Sequence, residues 1–82
     1  MKLKIQKGID QKTILRALDM IEQVNNKELK PKRLNITGNN CWCSISIGIR
    51  FRVLIKKYDE NNKVLIASLL HHEKYNKEIR IK

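Results

Sequence analysis

The sequence predicts an α+β fold in which one helix layer packs on a small, mostly antiparallel sheet of about four strands. One segment has apolar residues at helical spacing, a later one alternates with period two, and two apolar runs flank a polar turn. The predicted order is β-α-β-β-β. With 82 residues there is room for one modest core, so we expect residues 1–82 to form a single domain.

The first third of the chain predicts a short strand and then a helix. Residues 2–6 alternate polar and apolar, with Leu3 and Ile5 towards the core. Asp10 is a suitable N-cap, and the helix should end near residues 25–26. Its apolar stripe consists of Ile14, Leu15, Leu18, Ile21 and Val24. A stripe at this spacing predicts packing against a core.

Residues 27–40 predict a polar, irregular connection. It contains Lys30, Lys32 and Arg33, which are candidate phosphate-binding residues because a basic loop can position a phosphate backbone. A loop that is simply solvated is the alternative. Residues 38–40 read Gly-Asn-Asn and predict a turn.

The second half of the chain predicts three strands. From Cys41 the chain alternates with period two, which is typical of a strand with one face on the core. Residues 51–58 and 64–70 flank the polar turn 59–62, as in a hairpin. Because residues 64–70 are apolar at nearly every position, this strand should lie in the middle of the sheet and be covered on both faces, one of which a bound partner could cover instead.

The net charge of +10 is concentrated in the middle of the chain, where residues 27–57 hold eight basic side chains and one acidic one. Such a concentration favours a polyanionic partner, with nucleic acid first, and an acidic protein or a solvated surface as alternatives.

No run approaches the roughly 18 apolar residues of a membrane span, and the start lacks the apolar region of a signal peptide. We therefore expect a soluble cytoplasmic protein that has no membrane partner.

Two groups of polar residues are candidate functional sites. The alternation places one group on a single face of two neighbouring strands, as a phosphate-binding surface: Ser44, Ser46, Arg50, Arg52 and Lys56. The other group follows the last strand: His71, His72, Glu73, Lys74 and Tyr75. One of the two histidines should be a packing or surface residue, because neighbours on an extended chain point in opposite directions. Tyr75 is either a site residue or a lid residue, and Trp42 is a core or rim residue or a base-stacking platform.

The two cysteines, Cys41 and Cys43, stand one residue apart. On a strand this spacing does not favour a disulfide, which indicates a reducing compartment. Together with the two adjacent histidines, the spacing does not match the common zinc-ligand patterns either. We predict no metal and no cofactor.

The order of these segments resembles the RelE/ParE superfamily of toxins from bacterial and archaeal toxin-antitoxin modules. The resemblance rests on the short strand, the helix, the basic loop, the Trp-containing strand, the Gly-x-Arg-aromatic-Arg-Val-Leu segment that begins at Gly48, and the His-His-x-x-Tyr segment that ends at Tyr75. It spans roughly residues 10–77 and is most specific in residues 48–75.

This resemblance implies a small basic toxin that is neutralised by an acidic antitoxin. In the RelE branch it implies an endoribonuclease that cuts mRNA in the ribosomal A site, contacts 16S rRNA and so inhibits translation. The ribose 2′-oxygen would attack the adjacent phosphate, which requires a base, cations for the phosphorane and an acid for the leaving 5′-oxygen.

The residues that the resemblance implicates lie in its most specific part. Arg52, with Arg50, matches the strand arginine that contacts the phosphate, and Tyr75 matches the C-terminal tyrosine that stacks on or orients the base. His71 or His72 holds the basic position before that tyrosine, and an imidazole can exchange protons near neutral pH.

The sequence also departs from the family. Ser44 and Ser46 stand where some RelE nucleases have two lysines, and the N-terminal region is one helix shorter than the usual helical hairpin. If the protein is a nuclease, the histidines must then do more of the chemistry. Two alternatives remain open: a ParE-like toxin that inhibits DNA gyrase by protein binding, and a non-catalytic basic nucleic-acid-binding protein.

Overall fold

The computed structural model describes residues 1–34 and 42–80. Its elements along the chain are β1 (Lys2–Ile5), α1 (Gln11–Asn25), β2 (Lys32–Arg33), β3 (Cys43–Ile47), β4 (Phe51–Tyr58), β5 (Val64–His71) and α2 (His72–Arg80). The strands form one sheet in the order β1-β5-β4-β3-β2. β1 runs parallel to β5, and the other neighbouring pairs are antiparallel. The predicted α+β class with a mostly antiparallel sheet is confirmed.

Two elements were not predicted from the sequence, namely β2 and α2. β2 is a two-residue strand at the edge of the sheet, within the segment expected to be irregular. α2 adds a second helix layer on the face of the sheet opposite α1, where one layer was expected. Its apolar signal is short, because Tyr75 and Ile79 alone represent it at helical spacing. The turn predicted at residues 38–40, and Cys41, lie outside the described residues.

α1 packs on the sheet through a narrower stripe than the sequence suggested. Ala17, Ile21 and Val24 are buried, whereas Leu15 and Leu18 are 56% and 39% exposed. The expectation that both leucines belong to the core was therefore wrong, because the apolar stripe is wider than the area that the sheet covers. Within the part of the chain that the structure describes, no helix has the length and apolar content of a membrane span.

Asp10 is the N-cap residue of α1, as predicted, but its carboxylate is engaged differently from a usual cap. The Thr13 hydroxyl donates to Asp10 Oδ1 at 2.6 Å, while the Asp10 carbonyl accepts from the Ile14 amide at 3.1 Å. The bond from Thr13 lowers the pKa of Asp10. The helix ends at Asn25, at the predicted place, and Asn25 Oδ1 accepts the Val64 amide at 2.7 Å. This bond ties the end of α1 to the start of β5.

The main core lies between α1 and one face of the sheet. It contains the three buried residues of α1 together with residues from β3, β4 and β5: Ile45, Ile47, Val53, Ile55, Val64, Ala67 and Leu69. Leu3 of β1 packs against it. Alternate residues of a strand point to opposite faces. A residue between two of these core residues, such as Leu54 between Val53 and Ile55, therefore faces α2.

A second, smaller core lies between the sheet and α2. Leu54 of β4, Leu70 of β5 and Tyr75 of α2 are its buried members, with Trp42 and Ile79 packed against them. β4 and β5 thus carry apolar residues on both faces, and β5 lies between β1 and β4. Residues 64–70 were predicted to lie in the middle of the sheet, and they form an interior strand next to the central strand β4. Residues 67–70 are buried, as predicted, whereas Leu65 is 36% exposed.

Tyr58, the last residue of β4, lies against the main core beside Cys43 of β3. Burial and, to a smaller extent, a hydrogen bond with the Cys43 thiol raise the pKa of Tyr58 above its usual value. A folded chain that holds this proton more tightly than the unfolded chain is stabilised below pH 10 and loses that stabilisation as the pH rises above it.

We expect the free energy of unfolding to fall above about pH 10, where Tyr58 of the unfolded chain ionises first. Urea unfolding across the alkaline range measures this loss, and phenolate absorbance follows the ionisation. Tyr58→Phe is the control, because it should remove the high-pH part of the phenolate titration and reduce the alkaline loss of stability. Loss of the lower-pH part of the titration in Tyr58→Phe, with the high-pH part retained, would contradict the assignment.

Candidate active site

The turn between β3 and β4, residues 48–50, meets the junction of β5 and α2 at one end of the sheet. Gly48 has a φ of 62°, in the left-handed region that favours glycine, and this conformation lets the chain reverse after Ile47. The His72 amide donates to the Arg50 carbonyl at 2.8 Å. The first residue of α2 is therefore fixed to the turn by its backbone.

Arg52 turns its side chain back to the same place. Its Nη1 donates to the Phe51 carbonyl at 2.9 Å and to the Gly48 carbonyl at 3.4 Å. Arg50, Arg52 and His72 thus gather around one turn, and we call them the turn cluster. Arg50 and His72 are exposed and Arg52 is half-buried. Their side chains combine two permanent cations with an imidazole, which can donate or accept a proton.

The structure separates the two neighbouring histidines. His71 pairs with Phe51, and their ring centroids are 4.9 Å apart at an interplanar angle of 45°. Phe51 packs against the main core on the α1 side, whereas Arg52 pairs with Leu70 of the second core. His71 and Arg52 therefore point to opposite faces of the sheet. Of the two histidines, His72 is the one that the backbone places beside the turn.

The predicted polar face of β3 and β4 is partly covered. Ser44 pairs with Leu54 and is 6% exposed, while Ser46 pairs with Arg52 and is exposed. At the other end of β4, Lys56 Nζ lies 3.2 Å from Glu78 Oε1 and 5.1 Å from the centre of the Trp42 ring.

The pair of Lys56 and Glu78 joins β4 to α2. The two side chains keep 29% and 26% of their surface exposed, so the ion pair contributes less than about 1 kcal/mol to stability. Its main effect is to hold α2 over this part of the sheet. Lys56 is therefore engaged with α2 and the Trp42 ring, away from the turn cluster.

Tyr75 is 7% exposed and packs with Leu54 and Leu70 in the second core. The sequence left open a site residue or a lid residue, whereas the structure places the ring in a core, where a buried ring does not offer its face to a base. Trp42 is partly buried and packs against the same core, as expected for a core or rim residue.

The three basic residues of the connection after α1 are not brought to the turn cluster. Lys32 and Arg33 form β2 and pair with Ser44 and Cys43, at the end of β3 opposite the turn. Lys30 lines a cavity of about 300 Å³ beside the end of α1, whose other lining residues include Val24 and Tyr58.

A set of lysines on β1 and α2 went largely unnoticed in the sequence, since Lys74 alone among them belonged to a candidate site. Lys4 and Lys74 line a cavity of about 370 Å³ between these elements, and Lys77 lines a neighbouring cavity of about 360 Å³. The alternation along β1, which directs Leu3 to the main core, was a signal that Lys4 faces the other way. The missing information was that α2 lies over that face. Among residues 1–34 and 42–80, no three His, Cys, Asp or Glu side chains are grouped so that they could hold a metal ion.

With the geometry established, comparison with known proteins identifies the family. A model of the ParE-like toxin domain matches residues 11–77, from the start of α1 into α2. The chain belongs to the ParE-like toxin domain family. It is thus the toxin of a toxin-antitoxin system, and membership of the family implies an antitoxin partner. Searches of curated proteins and of solved structures gave no significant match.

The resemblance to RelE/ParE toxins is confirmed by this match. The matched residues of the ParE-like domain include the turn cluster and both of its anchoring carbonyls, Gly48 and Arg50. β1 lies before the matched residues, although it is part of the same sheet.

Tyr75→Ala should lower the free energy of unfolding by about 3 kcal/mol, because it removes a buried ring from the second core. Tyr75→Phe keeps the ring and should change the free energy by less than about 1 kcal/mol. Urea unfolding followed by circular dichroism measures both values. Small and equal effects would mean that the ring does not hold α2 on the sheet.

Proposed function

We propose that this toxin is a ribosome-dependent mRNA endoribonuclease that acts with its turn cluster. The observation that carries the proposal is the convergence of Arg50, Arg52 and His72 on one turn, through bonds to the Gly48 and Arg50 carbonyls. These side chains supply the two kinds of group that cleavage of a phosphodiester requires, namely cations and a proton carrier.

Each member of the turn cluster has a role in the proposed reaction. The ribose 2′-oxygen attacks the adjacent phosphorus, a P–O bond forms, and the bond to the 5′-oxygen breaks. His72 takes the proton of the 2′-hydroxyl and gives it to the leaving 5′-oxygen, which departs as a hydroxyl, and Arg52 and Arg50 stabilise the charge on the phosphorane oxygens. A guanidinium has five N–H donors, so Arg52 can hold the turn with Nη1 and face a phosphate with its other nitrogens.

The proposed substrate and site also fit the composition of the chain. The nucleophile belongs to the RNA, so the reaction requires no cofactor. The net charge of +10 favours binding to mRNA in the ribosomal A site and to the surrounding 16S rRNA. Neutralisation by an acidic antitoxin follows from the same charge.

We expect His72→Ala and Arg52→Ala each to lower mRNA cleavage at least about 100-fold, because each removes one group that acts in the transition state. Primer extension on translated mRNA after induction of the toxin measures the cuts. His71→Ala should lower mRNA cleavage less than about tenfold, since the His71 ring packs on Phe51 at the other face of the sheet. Arg16→Ala, which removes an exposed arginine from α1, is the matched control for charge.

Several results would contradict this assignment. Full cleavage by His72→Ala, or a greater loss of cleavage in His71→Ala than in His72→Ala, would show that the turn cluster is not the reacting group.

Co-expression of a short acidic protein encoded next to the toxin should abolish both the cuts and the growth arrest.

A second candidate function is inhibition of DNA gyrase by protein binding. It is favoured by the buried Ser44, which stands where some nucleases have a lysine, and by the buried ring of Tyr75. This function predicts growth arrest with DNA damage, intact mRNA, and little effect of His72→Ala or Arg52→Ala. Supercoiling by purified gyrase in the presence of the toxin tests it directly. Expression without any growth defect would favour a non-catalytic nucleic-acid-binding protein over both.

A further inference from the structure

A groove rich in lysine lies between β1 and α2, beside the second core. The cavity has a volume of about 370 Å³, within the size range of ligand pockets. We call it the lysine groove, after the four lysines in its lining: Lys4, Lys7, Lys56 and Lys74. Gln6, Ser68 and Glu78 add polar groups to the lining.

The fold brings these lysines together from β1, the turn that follows it, β4 and α2. Lys4 pairs with Ser68 across β1 and β5, on the face opposite Leu3. Lys74 and Glu78 are one turn apart on α2, so they share a side of that helix. The helix is held in place by Tyr75 in the second core, and the groove therefore has a fixed wall on each side.

The positive charge of the lysine groove is not balanced by its own lining. Glu78 is the one carboxylate among the lining residues, and it is already paired with Lys56 at 3.2 Å. Four lysines and one glutamate give the lining a formal charge of +3. Lysines gathered in a concave site repel one another and raise the local concentration of anions.

The polar groups around the lysines suit a phosphate. Gln6 Oε1 accepts the His71 amide at 2.9 Å, so the amide nitrogen of Gln6 is the group left to donate to a ligand. Ser68 contributes a hydroxyl, and the lysine ammonium groups bind phosphate as point charges. The neighbouring cavity of about 360 Å³ shares Gln6 and Lys74 with the groove and adds Lys77, His71 and the carboxylate of Glu73, so its lining is less positive than that of the groove.

We propose that the lysine groove is a binding site for the phosphate groups of a nucleotide or of single-stranded RNA. The site is distinct from the turn cluster and does not depend on cleavage. The His71 amide, which Gln6 binds, is followed directly by His72, so the site ends next to the turn cluster. Phosphates of one RNA chain can then occupy both places.

Binding by the purified full-length chain tests the proposal without ribosomes. The probes are adenosine triphosphate and a single-stranded RNA with hydroxyl ends, and the affinities are measured by titration calorimetry and fluorescence anisotropy. Lys4→Ala combined with Lys74→Ala should weaken binding about tenfold. For the RNA, the slope of the logarithm of the binding constant against the logarithm of the salt concentration should become shallower by about 1.4, or about 0.7 for each lost phosphate contact. Lys12→Ala combined with Lys63→Ala removes the same charge from exposed positions on α1 and the β4–β5 turn, and should weaken binding less than about twofold.

The two probes distinguish the sources of the phosphate. If the groove variant loses binding to the RNA alone, the ligand is a polynucleotide, and if it loses binding to the triphosphate alone, the ligand is a free nucleotide. If it loses binding to both, the groove recognises the phosphate that they share. Each of these results supports the site. Equal binding by the two double variants would overturn the proposal, even if the groove variant lost binding to an acidic antitoxin peptide.

A measurement on the unmodified chain covers the case in which the groove variant does not fold. Acetylation of lysines, followed by mass spectrometry, should show that the RNA or the triphosphate protects Lys4 and Lys74 at least about fivefold more than Lys12 and Lys63. Equal protection would overturn the proposal. Because these measurements contain no ribosome, failure of the groove appears as a loss of this difference in protection, whereas failure of the proposed nuclease appears in mRNA cleavage by the turn-cluster variants.

Discussion

The packing of β4 and β5 between two helices is the constraint on which the rest of the structure depends. Val53 and Leu69 face α1, whereas Leu54 and Leu70 face α2, and all four are buried. Burial on both faces fixes the register of the pair, because a shift by one residue would exchange the two cores. The register in turn places Arg52 opposite Leu70 and brings the turn after β3 to the start of α2.

The elements with long and regular patterns could be predicted from the sequence. The helix to Asn25, the hairpin and the interior position of residues 64–70 were predictable, because periodicity and turn residues are local signals. α2 was not, because a helix of nine residues with a buried face of Tyr75 and Ile79 owes its stability to tertiary packing. The outward orientation of Leu15 could not be derived either, because it depends on how much of α1 the sheet covers.

The candidate site was predictable in its residue types and less so in its arrangement. The sequence indicated the Arg-aromatic-Arg strand and the histidine pair, but strand alternation alone could not place His71 and His72 relative to Arg52. Two hydrogen bonds decide that arrangement, one from the Arg52 side chain to the Gly48 carbonyl and one from the His72 amide to the Arg50 carbonyl. Lysines distant in sequence, such as Lys4 and Lys74, come together only through the parallel pairing of β1 with β5 and the position of α2.

The pairing of β1 with β5 has a consequence for synthesis of the toxin. The first strand has no hydrogen-bonding partner until residues 64–71 have been translated, and Gln6 binds His71 across most of the chain. Contacts between distant parts of a chain form slowly, after the cost of closing the intervening loop. The sheet therefore closes only after β5 has been synthesised, and the groove between β1 and α2 cannot form earlier.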